Sequence, residues 1–106
     1  MTSAFVPETT RVGLLARIEA KPEHAADVEG LLTGALTLAE AETGTTVWFA
    51  LKLGPTTFGI FDAFGNDADR TAHLQGKIAA ALMESAPTLL AAAPEILPID
   101  VLAAKF

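Results

Sequence analysis

The stretch from Thr45 to Phe64 narrows the possible folds more than any other part of the chain. Thr45 to Leu53 is β-branched and aromatic, Leu53-Gly54-Pro55-Thr56 has turn chemistry, and Thr57 to Phe64 resumes the first pattern. Two such runs around a short turn make a β-hairpin. With a tight turn, Phe49 is expected opposite Ile60 and Leu51 opposite Phe58 on one face, with Trp48 opposite Phe61 on the other. Both faces then carry heavy apolar side chains, so both need a cover.

The flanking sequence supplies one cover. Val12, Leu14, Ala16 and Ile18 alternate with Gly13, Leu15, Arg17 and Glu19, which is a strand with one fully apolar side. Lys21-Pro22-Glu23 opens a helix, with proline where its missing N–H costs nothing and an acid at the positive end of the dipole. Val28, Leu31, Leu32, Ala35 and Leu38 follow at helical spacing, and Thr43-Gly44 stops the run. Gly30 and Gly34 sit inside this helix at roughly 1 kcal/mol each relative to alanine, and close packing against another element is the expected compensation. Asn66-Asp67-Ala68-Asp69 caps a second helix whose inner stripe is Thr71, Leu74, Ile78, Ala81 and Leu82. A short further turn is expected over Ser85 to Leu90, and a last strand from Glu95 to Phe106.

That order, strand-helix-strand-strand-helix-strand, predicts a ferredoxin-like α+β fold: an antiparallel four-stranded sheet with the helices on one face. The other face is left bare, and a second copy packing on it about a twofold axis is the expected cover. Trp48 and Phe49, adjacent in sequence, should then serve opposite faces. With 106 residues there is room for one domain, over positions 11–106, preceded by an arm at positions 1–10 that lacks any sustained period.

Composition removes several classes of function. Hydrophobic residues make up 51% and charged residues 19%, as in folded globular proteins. A net charge of -6 with scattered lysines and arginines leaves no basic stripe for nucleic acid or an anionic membrane surface. The absence of cysteine excludes disulfides, thiol nucleophiles and thiolate metal ligands. No basic leader precedes an apolar run at the start, and no apolar stretch reaches bilayer length, so the reading is a soluble, cytoplasmic protein.

Few side chains can carry chemistry, since the chain has two histidines, one tryptophan and no tyrosine. His73 lies on the second helix about 100° from Leu74, with Asp69 and Lys77 one turn away on either side. It is either a general base tuned by its neighbours or a solvated flank residue. Asp62 stands between Phe61 and Phe64 on an interior strand, where a carboxylate must be paired, and Arg17 on the adjacent strand is a possible partner. Trp48, Phe49, Phe58, Phe61 and Phe64 could line an aromatic-binding pocket or serve as core and interface. His24, among helix-start acids, reads as solvated, and no His, Asp and Glu set has metal-site spacing.

Three runs, Thr46-Val47-Trp48-Phe49-Ala50, Thr57 to Phe64, and Ala72-His73-Leu74-Gln75-Gly76, resemble the antibiotic biosynthesis monooxygenase family of small dimeric α+β barrel proteins, nearly throughout from Val12 onward. The resemblance implies a homodimer that oxidises a quinol or polycyclic phenolic molecule with O₂ and needs no metal or flavin. It implies catalytic roles for Asp62, near the family's strand acid, and His73, matching its first helix histidine. It places the aromatic substrate against Trp48, Phe49, Phe58, Phe61, Phe64 and Arg70. Gly76 stands where the family has a serine, and Ile78 where it has a second histidine. A non-catalytic, small-molecule-binding or stress-associated dimer of the same fold is the alternative.

Overall fold

The computed structural model describes residues 8–106, so most of the expected arm, positions 1–7, lies outside the described residues. Strand β1 (Val12–Glu19) leads through a 3₁₀ turn (Pro22–His24) into α1 (Ala25–Gly34) and α2 (Leu36–Ala41). The hairpin β2 (Thr45–Lys52) and β3 (Thr57–Phe64) follows, then α3 (Asp67–Leu74), α4 (Lys77–Leu89) and β4 (Glu95–Asp100). The sheet order is β2-β3-β1-β4 with every pair antiparallel. This is the ferredoxin-like arrangement expected from the order of elements.

Alternation decides which face is which. Leu14, Ala16 and Ile18 of β1 and Phe58, Ile60 and Phe64 of β3 are buried, and much of this row packs with Val28 and Leu32 of α1, Leu82 of α4, and Leu90. The opposite face presents Leu15, Val47, Phe49, Phe61, Leu97 and Ile99 with no cover among the described residues, Phe49 and Leu97 being more than half exposed. Trp48 packs between the sheet and the small cluster of Ala35, Ala39 and Ile78, so it serves the helix side and Phe49 the bare side.

The hairpin register differs from the tight-turn expectation by one residue: Phe49 pairs with Phe61, Trp48 with Asp62, and Leu51 with Gly59. The N–H groups of Leu53 and Gly54 both donate to the Thr57 carbonyl, at 2.8 and 3.1 Å, which leaves Gly54, Pro55 and Thr56 in the loop and moves every pair. Phe49 and Phe61 consequently stack on the bare face, ring centroids 6.2 Å apart.

Both expected helices are interrupted. The first breaks at Ala35, and the second at Gln75-Gly76, where Gly76 takes an extended conformation. Phase is lost across that break: Ile78 and Leu82 are buried as expected, whereas Thr71 and Leu74 are exposed and His73 faces inward. Gly30 and Gly34 have nothing within 4 Å of where a Cβ would stand, so no close packing compensates them. The further turn expected at Ser85 to Leu90 is instead the end of α4. That helix runs on through Pro87 because Leu82, Ala86 and Leu89 all reach the same core. The last strand stops at Asp100, since β1 begins at Val12 and offers no further partner beyond one bond from the Val101 N–H to the Arg11 carbonyl at 2.9 Å. Among the described residues no helix is long and apolar enough to cross a membrane.

Candidate functional site

His73 reaches the interior because α3 ends one residue after it. Asn66 starts that helix, its side chain accepting the Asp69 N–H at 2.8 Å. Arg70 then anchors the helix to the sheet, its Nη1 donating to the carbonyls of Gly13 and Ile99 at 3.2 Å each while Nη2 donates to Asp67. With α3 held over β1 and β4, the next inward position is His73, which is 7% exposed and lies 5.2 Å from the Phe64 ring centroid.

Two carboxylates meet its ring from opposite sides. Nε2 is 2.9 Å from Asp62 Oδ2, and Nδ1 is 2.6 Å from Glu42 Oε1. Glu42 follows α2, and the same Oε1 also accepts the Thr45 hydroxyl at 2.7 Å. Burial alone would depress the basicity of His73, but hydrogen bonds to Asp62 and Glu42 and their charges outweigh it and raise the imidazole pKa to about 8. At neutral pH the ring is therefore a cation that donates from both nitrogens. The two carboxylates stand across the ring from each other and do not converge on a point. Among the described residues no group of three or more such side chains is disposed to hold a metal ion.

The cluster divides two spaces. On the Glu42 side a pocket of about 440 Å³ is bounded by Leu38, Ala41, Thr43 to Thr45, Ala72, His73 and Lys77. On the other side a cavity of about 30 Å³ is lined by apolar side chains, together with Asp62 and His73. Only His73 and Glu42 of the three face the larger space. Asp62 is 1% exposed, and among the described residues its Oδ1 has no hydrogen-bond partner, nor has the buried Nε1 of Trp48, its direct neighbour across the hairpin.

Of the residues singled out from sequence, the structure brings His73 and Asp62 together. The ionic partner of Asp62 is His73 and not Arg17, which lies on the bare face, exposed. Phe58 and Phe64 are in the core, Phe49 and Phe61 are on the bare face, Trp48 lies between sheet and helices, and Arg70 is engaged with backbone carbonyls. None of these six lines the 440 Å³ pocket. His24 bonds Asp27 at 2.8 Å near the surface. Glu42 and Thr45 were not singled out, and Lys77 was named only as a neighbour of His73. Glu42 sits at a helix end like many solvated acids, and no sequence spacing ties it to His73.

No protein-family model matches the chain, and no curated protein is similar to it in sequence. Among solved structures, the NE2512 protein of Nitrosomonas europaea, of unknown function, is 54% identical over 94% of this chain and 97% of its own, with a TM-score of 0.91. The PA3566 protein of Pseudomonas aeruginosa is 22% identical over 92% of this chain and 100% of its own, at a TM-score of 0.77. A second Nitrosomonas europaea protein, provisionally named an antibiotic biosynthesis monooxygenase, is 14% identical over 86% of this chain and 98% of its own, also at 0.77. The resemblance read from the sequence thus holds at the level of fold.

Proposed function

Because this chain belongs to the family of the NE2512 protein and has the fold of antibiotic biosynthesis monooxygenase proteins, we propose that it is a homodimeric monooxygenase that oxidises a quinol or polycyclic phenolic small molecule with O₂ and without metal or flavin. The observation that supports this reading is the buried His73, held between Asp62 and Glu42, forming part of the wall of a pocket of about 440 Å³. That volume suits a fused aromatic ring system, and Leu38, Ala41 and Ala72 give it apolar contacts.

The chemistry asks little of the protein. Removal of a phenolic proton gives an electron-rich anion that reduces O₂ directly, so the site must bind the ring, accept the proton and keep water away. For an anthrone the reacting methylene loses both hydrogens and gains one oxygen atom as a carbonyl, and the second oxygen atom leaves with those hydrogens as water. His73, cationic at neutral pH, stabilises the anion, and Asp62 holds the ring from behind.

Oxygen uptake with a panel of hydroquinones and anthrones is the test. The expected result is consumption well above the uncatalysed rate, one labelled oxygen atom in the product, and loss of rate in His73→Gln. Ligand-dependent thermal stabilisation with uptake at background would overturn the enzyme reading and support a binding protein of the same fold.

A further inference from the structure

We infer that Glu42 is the residue that takes the proton from a hydroxyl-bearing ligand in the 440 Å³ pocket, and that Asp62 acts on the reaction only through His73. The inference rests on the proposed placement of the phenolic ligand in that pocket. Position separates the two carboxylates. Glu42 and His73 line the pocket, whereas Asp62 lies on the far side of the imidazole and borders only the small inner cavity. A ligand hydroxyl in the larger space meets Glu42 before it can meet Asp62.

Among the described residues the local bonding engages one Glu42 oxygen and leaves the other available. Oε1 accepts from both His73 Nδ1 at 2.6 Å and the Thr45 hydroxyl at 2.7 Å. Oε2 lies beside Gly76, 3.1 Å from where a Cβ on that residue would stand. The bonds to His73 and Thr45 fix the carboxylate plane, and the missing side chain at Gly76 keeps the approach to Oε2 clear. In the transfer the ligand O–H bond breaks, an O–H bond forms at Oε2, and the electron pair stays on the ligand oxygen. The pocket that would hold the resulting anion is lined by two basic residues, His73 and Lys77, the latter in the first turn of α4. Asp69 also borders the pocket and is the one other acid there. Its carboxylate packs on Gly44, with Cγ 2.8 Å from where a Cβ on that glycine would stand.

A coloured nitrophenol, bound under anaerobic conditions, reports ionisation through its phenolate absorption and needs no turnover. The wild-type protein is expected to bind it with the phenolate band appearing at least about one pH unit below its position in free solution, a tenfold shift in ionisation. Glu42→Gln should bind the neutral phenol and lose that shift. Gly76→Ala, whose methyl would stand 3.1 Å from Oε2 and 3.2 Å from the His73 carbonyl oxygen, should reduce it. Asp62→Asn should retain the shift at low pH and lose it at a lower upper limit, because His73 then surrenders its proton earlier; imidazole NMR titration of each variant reads that directly. Ionisation that persists in Glu42→Gln and vanishes in Asp62→Asn, with both variants folded by circular dichroism, would make Asp62 the acceptor and overturn the inference. A pocket that takes up no phenol overturns both this inference and the reading it rests on. Ionisation without oxygen uptake removes only the oxygenase reading, and uptake unchanged in Glu42→Gln removes only the role of Glu42.

Discussion

Between pH of roughly 6.5 and 8, His73 keeps its proton in the folded chain and loses it in the unfolded one. Its pKa is raised by folding, so its contribution is complete below the unfolded value and disappears as pH rises through about 8. The shift corresponds to about 2 kcal/mol, and urea unfolding of the wild type should lose up to about that much between mildly acidic and mildly alkaline pH, whereas His73→Gln should show no such loss. Comparison with the variant matters at acid pH, where Glu19 acts in the opposite sense. Its carboxyl is held below the usual range by the hydroxyls of Thr56 and Thr57, a contribution lost as the group protonates. Gly13 lies on the same strand, and a Cβ there would stand 2.6 Å from the Asp62 carbonyl oxygen. Gly13→Ala should therefore cost about 2 kcal/mol in thermal or urea unfolding, through displacement of the strand that carries Asp62. His73 and Asp62 were legible in the sequence because a histidine is rare in this chain and an acid is out of place on an interior strand. Glu42 was not, because its importance comes only from a contact between residues 31 positions apart.

Strands and helices differed in how far local pattern carried. The alternation in β1 separates the buried Leu14, Ala16 and Ile18 from the exposed Leu15 and Arg17 as expected, since a strand's period is set by the backbone and does not drift. The stripe of the first expected helix carried through its break, Ala35 and Leu38 packing in the small second cluster, whereas that of the second held only beyond Gly76, because a single extended residue separates the phase of the turns before it from that of the turns after. Freed of the phase that Ile78 and Leu82 set for α4, α3 turns His73 inward and leaves Thr71 and Leu74 exposed. The hairpin shows the same sensitivity: one residue more in the loop gave Phe49 the Phe61 partner expected for Trp48 and set Trp48 opposite Asp62. Gly30 makes a separate prediction for α1. It is exposed in the interior of the helix with nothing within 4 Å of where a methyl group would stand, so Gly30→Ala should raise stability by about 1 kcal/mol, seen as a higher melting temperature. Had the glycine been kept for close packing, the same change would lower it.

At the scale of the whole molecule, the proposed homodimer rests on the sheet face that the described residues leave bare. Leu15, Phe49, Phe61 and Leu97 form a continuous apolar strip across all four strands, from the β2 edge to the β4 edge, and the molecule's own helices occupy only the other side. A strip of this kind, left in water, gives up the free energy that its burial would release, at about 25 cal/mol per Å². Two copies meeting face to face about a twofold axis recover it for both partners at once. Phe49 and Leu97 stand on opposite edge strands, so a glutamate at either would bury an unpaired charge in that contact while touching nothing in the core. Phe49→Glu and Leu97→Glu should each weaken association by roughly 2 kcal/mol, some thirtyfold in Kd, and together leave a particle of 11.0 kDa in sedimentation where the wild type has twice that mass. A wild type that sediments at 11.0 kDa at micromolar concentration would remove the dimer. The glutamate variants also separate assembly from the site: the His73 cluster and its pocket are built by one chain on the helix side of the sheet, so imidazole titration in the monomer should match the dimer. A changed titration would mean that the partner's presence shapes the pocket from across the sheet.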